Sequence, residues 1–141
     1  EKNKNLNFSF SGIKTAVNLI VKKEKNITID FIENLSASFQ NKVAEILETK
    51  LKLTMEYLKN SKINISQISL VGGVAANKYI YKKLKKTANN YECNIILPPK
   101  FMLSDNAAMI GWTSIKKYNN SFTSDILFEP NPRLSLDNKQ L

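Results

Sequence analysis

The sequence contains no histidine, and Cys93 is its only cysteine. Without histidine, the chain acting alone can form no histidine general base, no Cys–His or Ser–His nucleophile pair and no histidine-containing metal site. A single cysteine excludes an internal disulfide and favours a reducing compartment. Because Cys93 lies in an apolar run, we expect it to be a buried core residue.

Long apolar runs are missing as well. No stretch approaches the length that crosses a bilayer, and the first residues lack the charged-then-apolar pattern of a signal sequence. The sequence therefore predicts a soluble protein without a membrane partner, located in the cytoplasm or, in a eukaryote, in an organelle. A hydrophobic fraction of 43% over 141 residues is sufficient for the core of one domain, or of a large piece of one.

Arginine is scarce: Arg133 is the only one, and the other twenty basic residues are lysines. The net charge of +9 favours an anionic partner such as nucleic acid. Specific recognition of phosphates and bases usually relies on the forked guanidinium of arginine. The charge therefore supports nucleic-acid binding only modestly.

The patterns that are present begin with an aromatic segment and a long helix. Phe8 and Phe10 alternate with serines as in a short strand, and Ser11 is placed to cap a following helix. A helix without Gly or Pro is then predicted from Asp30, its expected cap, to Lys59. Its wide apolar face predicts a role in the core rather than in catalysis.

The stretch from Ile68 to Leu84 joins a short strand, the glycines Gly72 and Gly73, and an amphipathic helix with Asn77 on its first turn. Two glycines at such a junction let backbone N–H groups approach a ligand, and a helix N-terminus favours negative charge. A nucleotide or phosphate contact is one interpretation; a structural turn that needs glycine for its backbone angles is the other. The spacing matches neither the phosphate loop nor the three-glycine dinucleotide fingerprint.

The helix after this turn has an apolar stripe and a basic face. The stripe consists of Ala76, Ile80, Leu84 and Ala88. The basic face carries Lys78, Lys82, Lys83, Lys85 and Lys86. Most such faces are simply solvated, and contact with a phosphate backbone is the alternative.

A second strand is predicted over Cys93–Leu97 and a last helix from about Ala107 to Tyr118, followed by an extended tail over residues 120–141. Asp105 stands just ahead of the last helix, where it could cap that helix or bind a divalent metal through its carboxylate. The order of helices and strands predicts an α/β class, with a sheet too small to be complete by itself.

Three motifs follow one another along the chain: Phe8–Val17, Val71–Asn77 and Ser104–Ile110, with Pro98-Pro99 and Pro130–Arg133 at matching places. Together they resemble the carboxy-terminal half of the bacterial-type tRNA adenosine threonylcarbamoyltransferases, the TsaD family, once called a glycoprotease. The resemblance covers essentially the whole chain.

The resemblance implies an ASKHA fold (actin-like ATPase, sugar kinase and heat-shock protein), with residues 1–141 as a single fragment: the second lobe and part of the interlobe helices. It also implies transfer of a threonylcarbamoyl group from threonylcarbamoyl-adenylate to the adenosine beside the anticodon in tRNAs that read A-starting codons. Asn77 would bind the adenylate, Gly72 and Gly73 would shape the turn, and Asp105 would be a ligand of the active-site iron or zinc.

The family's other two metal ligands are histidines of its amino-terminal half, and this chain has none. We therefore expect the chain to be inactive without that half. The resemblance implies further partners: tRNA, a TsaB-type paralogue and a TsaE-type ATPase. The chain could be a fragment of a full enzyme, one half of a split protein or a decayed remnant. Two alternative functions also remain open: an ASKHA-type kinase lobe, and a non-catalytic basic module that binds RNA or a partner.

Overall fold

The computed structural model of the chain describes residue 6, residues 8–123 and residue 129. In this part of the chain, four α-helices accompany a two-stranded parallel sheet, which confirms the predicted α/β class. The helices are α1 (Ser11–Lys23), α2 (Ile29–Asn60), α3 (Lys78–Asn89) and α4 (Ala107–Asn119), and the strands are β1 (Gln67–Ser69) and β2 (Asn94–Ile96). Short 3-10 turns span Gly73–Ala76 and Lys100–Met102.

The chain separates into two compact units, residues 1–104 and residues 105–141. The first unit contains α1 to α3 and the sheet, and the second contains α4. The prediction that residues 1–141 form one lobe stays a prediction. Most of the expected extended tail, residues 124–128 and 130–141, lies outside the described residues.

The long helix α2 is confirmed, but it begins earlier than its predicted cap. Thr28 is the N-cap, with extended backbone angles, and its Oγ1 accepts a hydrogen bond from the Phe31 N–H at 3.2 Å. Asp30 therefore lies within the first turn, where a carboxylate interacts favourably with the helix N-terminus.

The predicted helix after the aromatic segment is also confirmed, whereas the strand before it is not. Phe10 is the N-cap of α1 and Ser11 is its first helical residue, so the predicted Ser11 cap is wrong. The rings of Phe8 and Phe10 stack with centroids 6.1 Å apart. A strand needs a neighbouring strand to bond to, and within the described residues β1 and β2 bond only to each other.

The core of the first unit lies between α2, α3 and one face of the sheet. Its buried side chains form two clusters: Ala44, Ile80 and Leu84 in one, and Met55, Ala88 and Cys93 in the other. Cys93 is 1% exposed and its Sγ lies 3.2 Å from the Ile65 carbonyl oxygen, as expected of a core cysteine. The predicted stripe on α3 is buried except for Ala76, which belongs to the 3-10 turn and is exposed.

The two strands are joined through α3 and pair in a single register. Gln67, Ile68 and Ser69 lie opposite Asn94, Ile95 and Ile96. Ile68 and Ile95 therefore share the face that packs against the helices. None of the helices in the described part is both long enough and apolar enough to cross a membrane.

Candidate functional site

The turn that follows β1 has a backbone that glycine makes possible. Gly72 has φ 90° and ψ 165°, a conformation that residues with a Cβ rarely adopt. The chain then tightens into the 3-10 turn Gly73–Ala76, in which the Ala75 N–H donates to the Gly72 carbonyl at 3.0 Å. The structural interpretation of Gly72 is therefore correct, and it does not exclude a ligand.

Gly73 is different, because nothing in the described structure requires glycine there. Its φ is not positive, and a Cβ built on it would meet no described atom within 4 Å. An ordinary residue would fit both the backbone and the surroundings. The space above Gly73 is available to a group that comes close to the backbone.

Three consecutive backbone N–H groups of this turn find no partner within the described part of the chain. The donors of Gly72, Gly73 and Val74 have no acceptor among the described residues, whereas the Asn77 N–H donates to the Val74 carbonyl at 3.0 Å. Successive N–H groups in a tight turn form a concave surface that binds anions and other acceptors. The turn therefore offers donors to a ligand and not only a change of chain direction.

Asn77 is the N-cap of α3. Its Oδ1 accepts hydrogen bonds from the N–H groups of Tyr79, at 3.0 Å, and Ile80, at 3.1 Å. Its Nδ2 donates to Oε1 of Gln40 on α2 at 2.9 Å. Because an amide nitrogen carries two hydrogens, one donor of Asn77 remains for a ligand.

Gln40 was not expected to contribute to this site. It lies on the same face of α2 as Val43 and Leu47, three and seven residues further on, and it is thirty-seven residues from Asn77 along the chain. The only indication of this role in the sequence was that Gln40 is a polar side chain on a mainly apolar helix face. Its contact orients the Asn77 amide so that the oxygen caps α3 and the nitrogen faces α2.

Two of the sequence motifs meet at an open apolar groove of about 980 Å³. Phe10, Ile13 and Val17 of the first motif form one wall, and Val71, Gly73 and Asn77 of the second form another. The floor comes from α2. The groove therefore brings the turn and α1 to one surface within the first unit.

A charged network links α2 to α3. Glu48 accepts from Lys52 at 2.7 Å and from the buried Thr87 hydroxyl at 3.1 Å, and Lys83 Nζ lies 3.6 Å away. The Lys52 ammonium, helped by Thr87 and Lys83, holds the pKa of Glu48 below its usual value, although partial burial acts the other way. Lys83 also donates to Asn41 at 3.2 Å, so it is not a purely solvated lysine.

Asp105 lies in the second unit and does not cap α4. Asn106 is the cap, and its Oδ1 accepts from the Met109 N–H at 3.1 Å. The capping interpretation of Asp105 is therefore wrong, and its carboxylate has no hydrogen-bond or ion-pair partner in the described part of its unit. Among the residues described, no group of three Cys, Asp or Glu side chains could hold a metal ion. Asp105 can be at most one ligand of a site completed by other residues.

Comparison with known sequences gives a consistent result. A sequence model of the family described as "TsaD: tRNA N6-adenosine threonylcarbamoyltransferase" matches residues 1–112, which include Gly72, Gly73, Asn77 and Asp105. This match confirms the resemblance inferred from the three motifs.

Curated relatives with the name tRNA N6-adenosine threonylcarbamoyltransferase are similar over nearly the whole chain. The protein of Rickettsia rickettsii (strain Sheila Smith) is 38% identical over 135 residues, which cover 94% of this chain and 39% of the relative. The protein of Ehrlichia chaffeensis is 37% identical over an alignment that covers 93% of this chain and 38% of the relative. The protein of the Wolbachia of Brugia malayi is 40% identical over an alignment that covers 92% of this chain and 38% of the relative. The chain thus spans about two fifths of the length of the curated relatives it matches.

Proposed function

Because the chain belongs to the tRNA N6-adenosine threonylcarbamoyltransferase family, we propose that it supplies part of the active site for threonylcarbamoyl transfer to tRNA. The donor is threonylcarbamoyl-adenylate, and the acceptor is the adenosine beside the anticodon in tRNAs that read A-starting codons. The observation that carries the assignment is the turn Gly72–Val74, whose three N–H donors have no acceptor among the described residues and which lines the same groove as Asn77.

The turn suits the adenylate part of the donor. An adenylate is anionic and rich in hydrogen-bond acceptors, and consecutive backbone N–H groups bind such groups without needing a charged side chain. The open space above Gly73 allows close approach, and Asn77 adds an oriented amide donor. Held in this way, the adenylate is positioned as the leaving group of the transfer.

The lobe assignment belongs to the same proposal. The first unit would be part of the second ASKHA lobe, and the opposite wall of the cleft would come from the portion of the family that this chain does not span. The motif matches favour the transferase over a kinase lobe. The chain alone would be inactive, since it provides one wall of the cleft and no histidine.

Asp105 would contribute one carboxylate ligand to an iron or zinc ion, with the remaining ligands from the missing portion. When bound, such a metal supplies a Lewis acid that holds and polarises the threonylcarbamoyl end of the donor. The uncommitted carboxylate fits this role, because Asn106 has taken over the capping of α4.

The partners proposed for the assembled protein are tRNA, the TsaB-type paralogue and the TsaE-type ATPase, in the cytoplasm or an organelle. The exposed lysines of α3 are compatible with tRNA, whose backbone is a polyanion. A non-catalytic RNA-binding module is the remaining alternative, and it requires neither Asn77 nor Asp105.

The test replaces Asn77 by Ser in the chain co-expressed with the portion of the Rickettsia rickettsii relative that this chain does not match. Serine retains an N-cap acceptor but removes the Nδ2 donor, so α3 should stay folded. We expect affinity for a stable threonylcarbamoyl-adenylate analogue to fall about tenfold, the usual effect of losing one such bond. Modified adenosine in tRNA, measured by nucleoside mass spectrometry, should fall with it.

The matched control is Asn34→Ser, on the exposed side of α2. It should leave both readouts unchanged. Unchanged analogue affinity in Asn77→Ser would remove Asn77 from the site. RNA binding without any adenosine modification, in every variant and in the unaltered protein, would favour the non-catalytic module instead.

A further inference from the structure

The side-chain amide of Asn77 has one orientation that satisfies its contacts. Its Oδ1 accepts hydrogen bonds from the backbone N–H groups of Tyr79 and Ile80, and only the oxygen of an amide can accept. The atom that faces Gln40 on α2, 2.9 Å away, must therefore be Nδ2. Because Nδ2 donates, Gln40 has to present its Oε1 to it. The cap of α3 thus fixes the orientation of two side chains and not of one.

Gln40 has no other hydrogen bond among the described residues. It is partly buried on α2, and its neighbours along the groove on that helix include the apolar Phe39, Val43 and Leu47. A polar side chain in such surroundings is destabilising unless it forms a hydrogen bond. The bond to Asn77 meets this need, so holding the Asn77 amide is a role that explains a glutamine at this position.

The next residue, Asn41, bonds to α3 at different atoms. Its Oδ1 accepts from the Tyr79 hydroxyl at 2.7 Å and from Lys83 Nζ at 3.2 Å. Its Nδ2 donates to Glu45 of its own helix at 2.9 Å. None of these bonds includes Asn77. Two consecutive residues of α2 therefore have separable contacts: Asn41 ties α2 to α3, and Gln40 holds the side chain that caps α3.

We propose that Gln40 is a positioning residue for the donor: its Oε1 directs the free Nδ2 hydrogen of Asn77 towards the adenylate. The two hydrogens of an amide nitrogen lie in the amide plane, so once Gln40 has accepted one, the direction of the other is set. A donor that is in place before the ligand arrives avoids the cost of being ordered on binding. This inference rests on the proposed function, because it concerns the same adenylate site.

Gln40→Met removes the acceptor and keeps the size of the side chain. Methionine is unbranched, favours helix and has only a weakly accepting sulfur. The Asn77 Nδ2 would then face α2 without a partner, a cost that favours rotation of the amide away from its position. In the chain co-expressed with the unmatched portion of the Rickettsia rickettsii relative, we expect affinity for the stable threonylcarbamoyl-adenylate analogue to fall about fivefold. Isothermal titration calorimetry measures it.

Gln40→Glu is the rescuing variant. A glutamate keeps an oxygen that accepts from Asn77 Nδ2 and lacks the Nε2 of glutamine, and a carboxylate accepts at least as strongly as an amide oxygen. Affinity for the analogue should therefore stay within about twofold of that of the unaltered protein. A role of Gln40 in direct contact with the ligand through Nε2 would make Gln40→Glu as weak as Gln40→Met, and that result would overturn the positioning role.

Asn41→Ala is the matched control for packing of α2 on α3. It removes the bonds to Tyr79 and Lys83 and leaves the bond between Gln40 and Asn77 in place. It should lower the melting temperature and leave affinity for the analogue unchanged. An equal loss of affinity in Asn41→Ala and Gln40→Met would mean that helix packing alone sets the affinity, and it would also overturn the proposal.

A double-mutant cycle tests whether Gln40 acts through Asn77. The Gln40→Met, Asn77→Ser double variant should bind the analogue no more weakly than Asn77→Ser alone. Losses that multiply, to about fiftyfold, would show that Gln40 acts independently of Asn77 and would overturn the proposal. Unchanged affinity in Gln40→Met beside a tenfold loss in Asn77→Ser would overturn this inference alone. Unchanged affinity in Asn77→Ser would instead remove Asn77 from the adenylate site and contradict the proposed function as well.

Discussion

Asn77 at the start of α3, and Asp105 and Asn106 at the start of α4, are polar residues in similar positions with different roles. Asn77 and Asn106 each accept a hydrogen bond from the first turn of the following helix. Asn77 also retains one donor for a ligand, so its removal would disturb structure and binding together. Asp105 has no such structural contact in the described part of its unit, so its substitution separates a chemical role from a structural one.

If Asp105 binds the proposed metal, Asp105→Ala should remove the metal and leave the cap of α4 intact. In the co-expressed complex, we expect metal content, measured by elemental mass spectrometry, to fall at least about tenfold, because even the loss of a residue that only orients a ligand costs that much affinity. After the metal has been removed from both proteins, the variant and the unaltered protein should have the same melting temperature, because Asn106 still caps α4. Asn106→Ala is the contrasting variant, and loss of that cap should cost about 1 kcal/mol. Normal metal content in Asp105→Ala would disprove the ligand assignment.

At the level of elements, α2 organises the first unit. Through Gln40 it orients the Asn77 amide, and through Glu48 it contacts Lys83 and Thr87 of α3. The two contacts lie about two turns apart on one helix. Packing of α2 on α3 therefore fixes the position of the turn as well as the core.

The Glu48 network makes this packing sensitive to acid. Because the pKa of Glu48 is lowered in the folded chain, its contribution to stability is present above the ordinary value of 4.5 and is lost as the pH falls through the folded pKa. Glu48→Gln should lower the melting temperature by about a few degrees at neutral pH. The difference from the unaltered chain should shrink in acid.

Glu56→Gln is the matched control, because Glu56 is exposed on the same helix and no ion pair is found for it among the described residues. It should change the melting temperature little at any pH. Thermal unfolding followed by circular dichroism from about pH 3 to pH 7 measures both variants. A Glu48→Gln difference that is independent of pH would contradict the electrostatic explanation.

Elements determined by local pattern were predictable from the sequence. The spacing of apolar residues predicted α2, α3 and both strands, and the apolar run around Cys93 predicted its burial. The pairing of Gln40 with Asn77 was not predictable, because it depends on how α2 packs on α3. The supposed strand at Phe8–Phe10 failed for a related reason: alternation favours an extended segment, but a strand also requires a partner edge.

On the scale of the whole molecule, α3 is the helix densest in positive charge, with five lysines among its 12 residues. Lys83 is held by Glu48 and Asn41, and Lys85 lies over the Tyr81 ring. The remaining lysines of α3 are exposed, make no interaction with described residues and recur every four positions along one face: Lys78, Lys82 and Lys86. Such a row is suited to a phosphate backbone, which lysine contacts as a point charge.

If this row of lysines binds tRNA, it must account for part of the salt dependence of the affinity of the assembled protein for tRNA. Each lost phosphate contact reduces the slope of log affinity against log salt concentration by roughly 0.7–0.9. Replacing Lys78, Lys82 and Lys86 together by Gln preserves helix propensity, so the slope should become shallower by about 2 and the affinity should fall at low salt. Lys23→Gln combined with Lys25→Gln, at exposed positions at the end of α1 and just after it, removes charge elsewhere and should leave the slope nearly unchanged. Equal slopes for the two variants would mean that the row on α3 is a solvated surface and that tRNA binds through other residues.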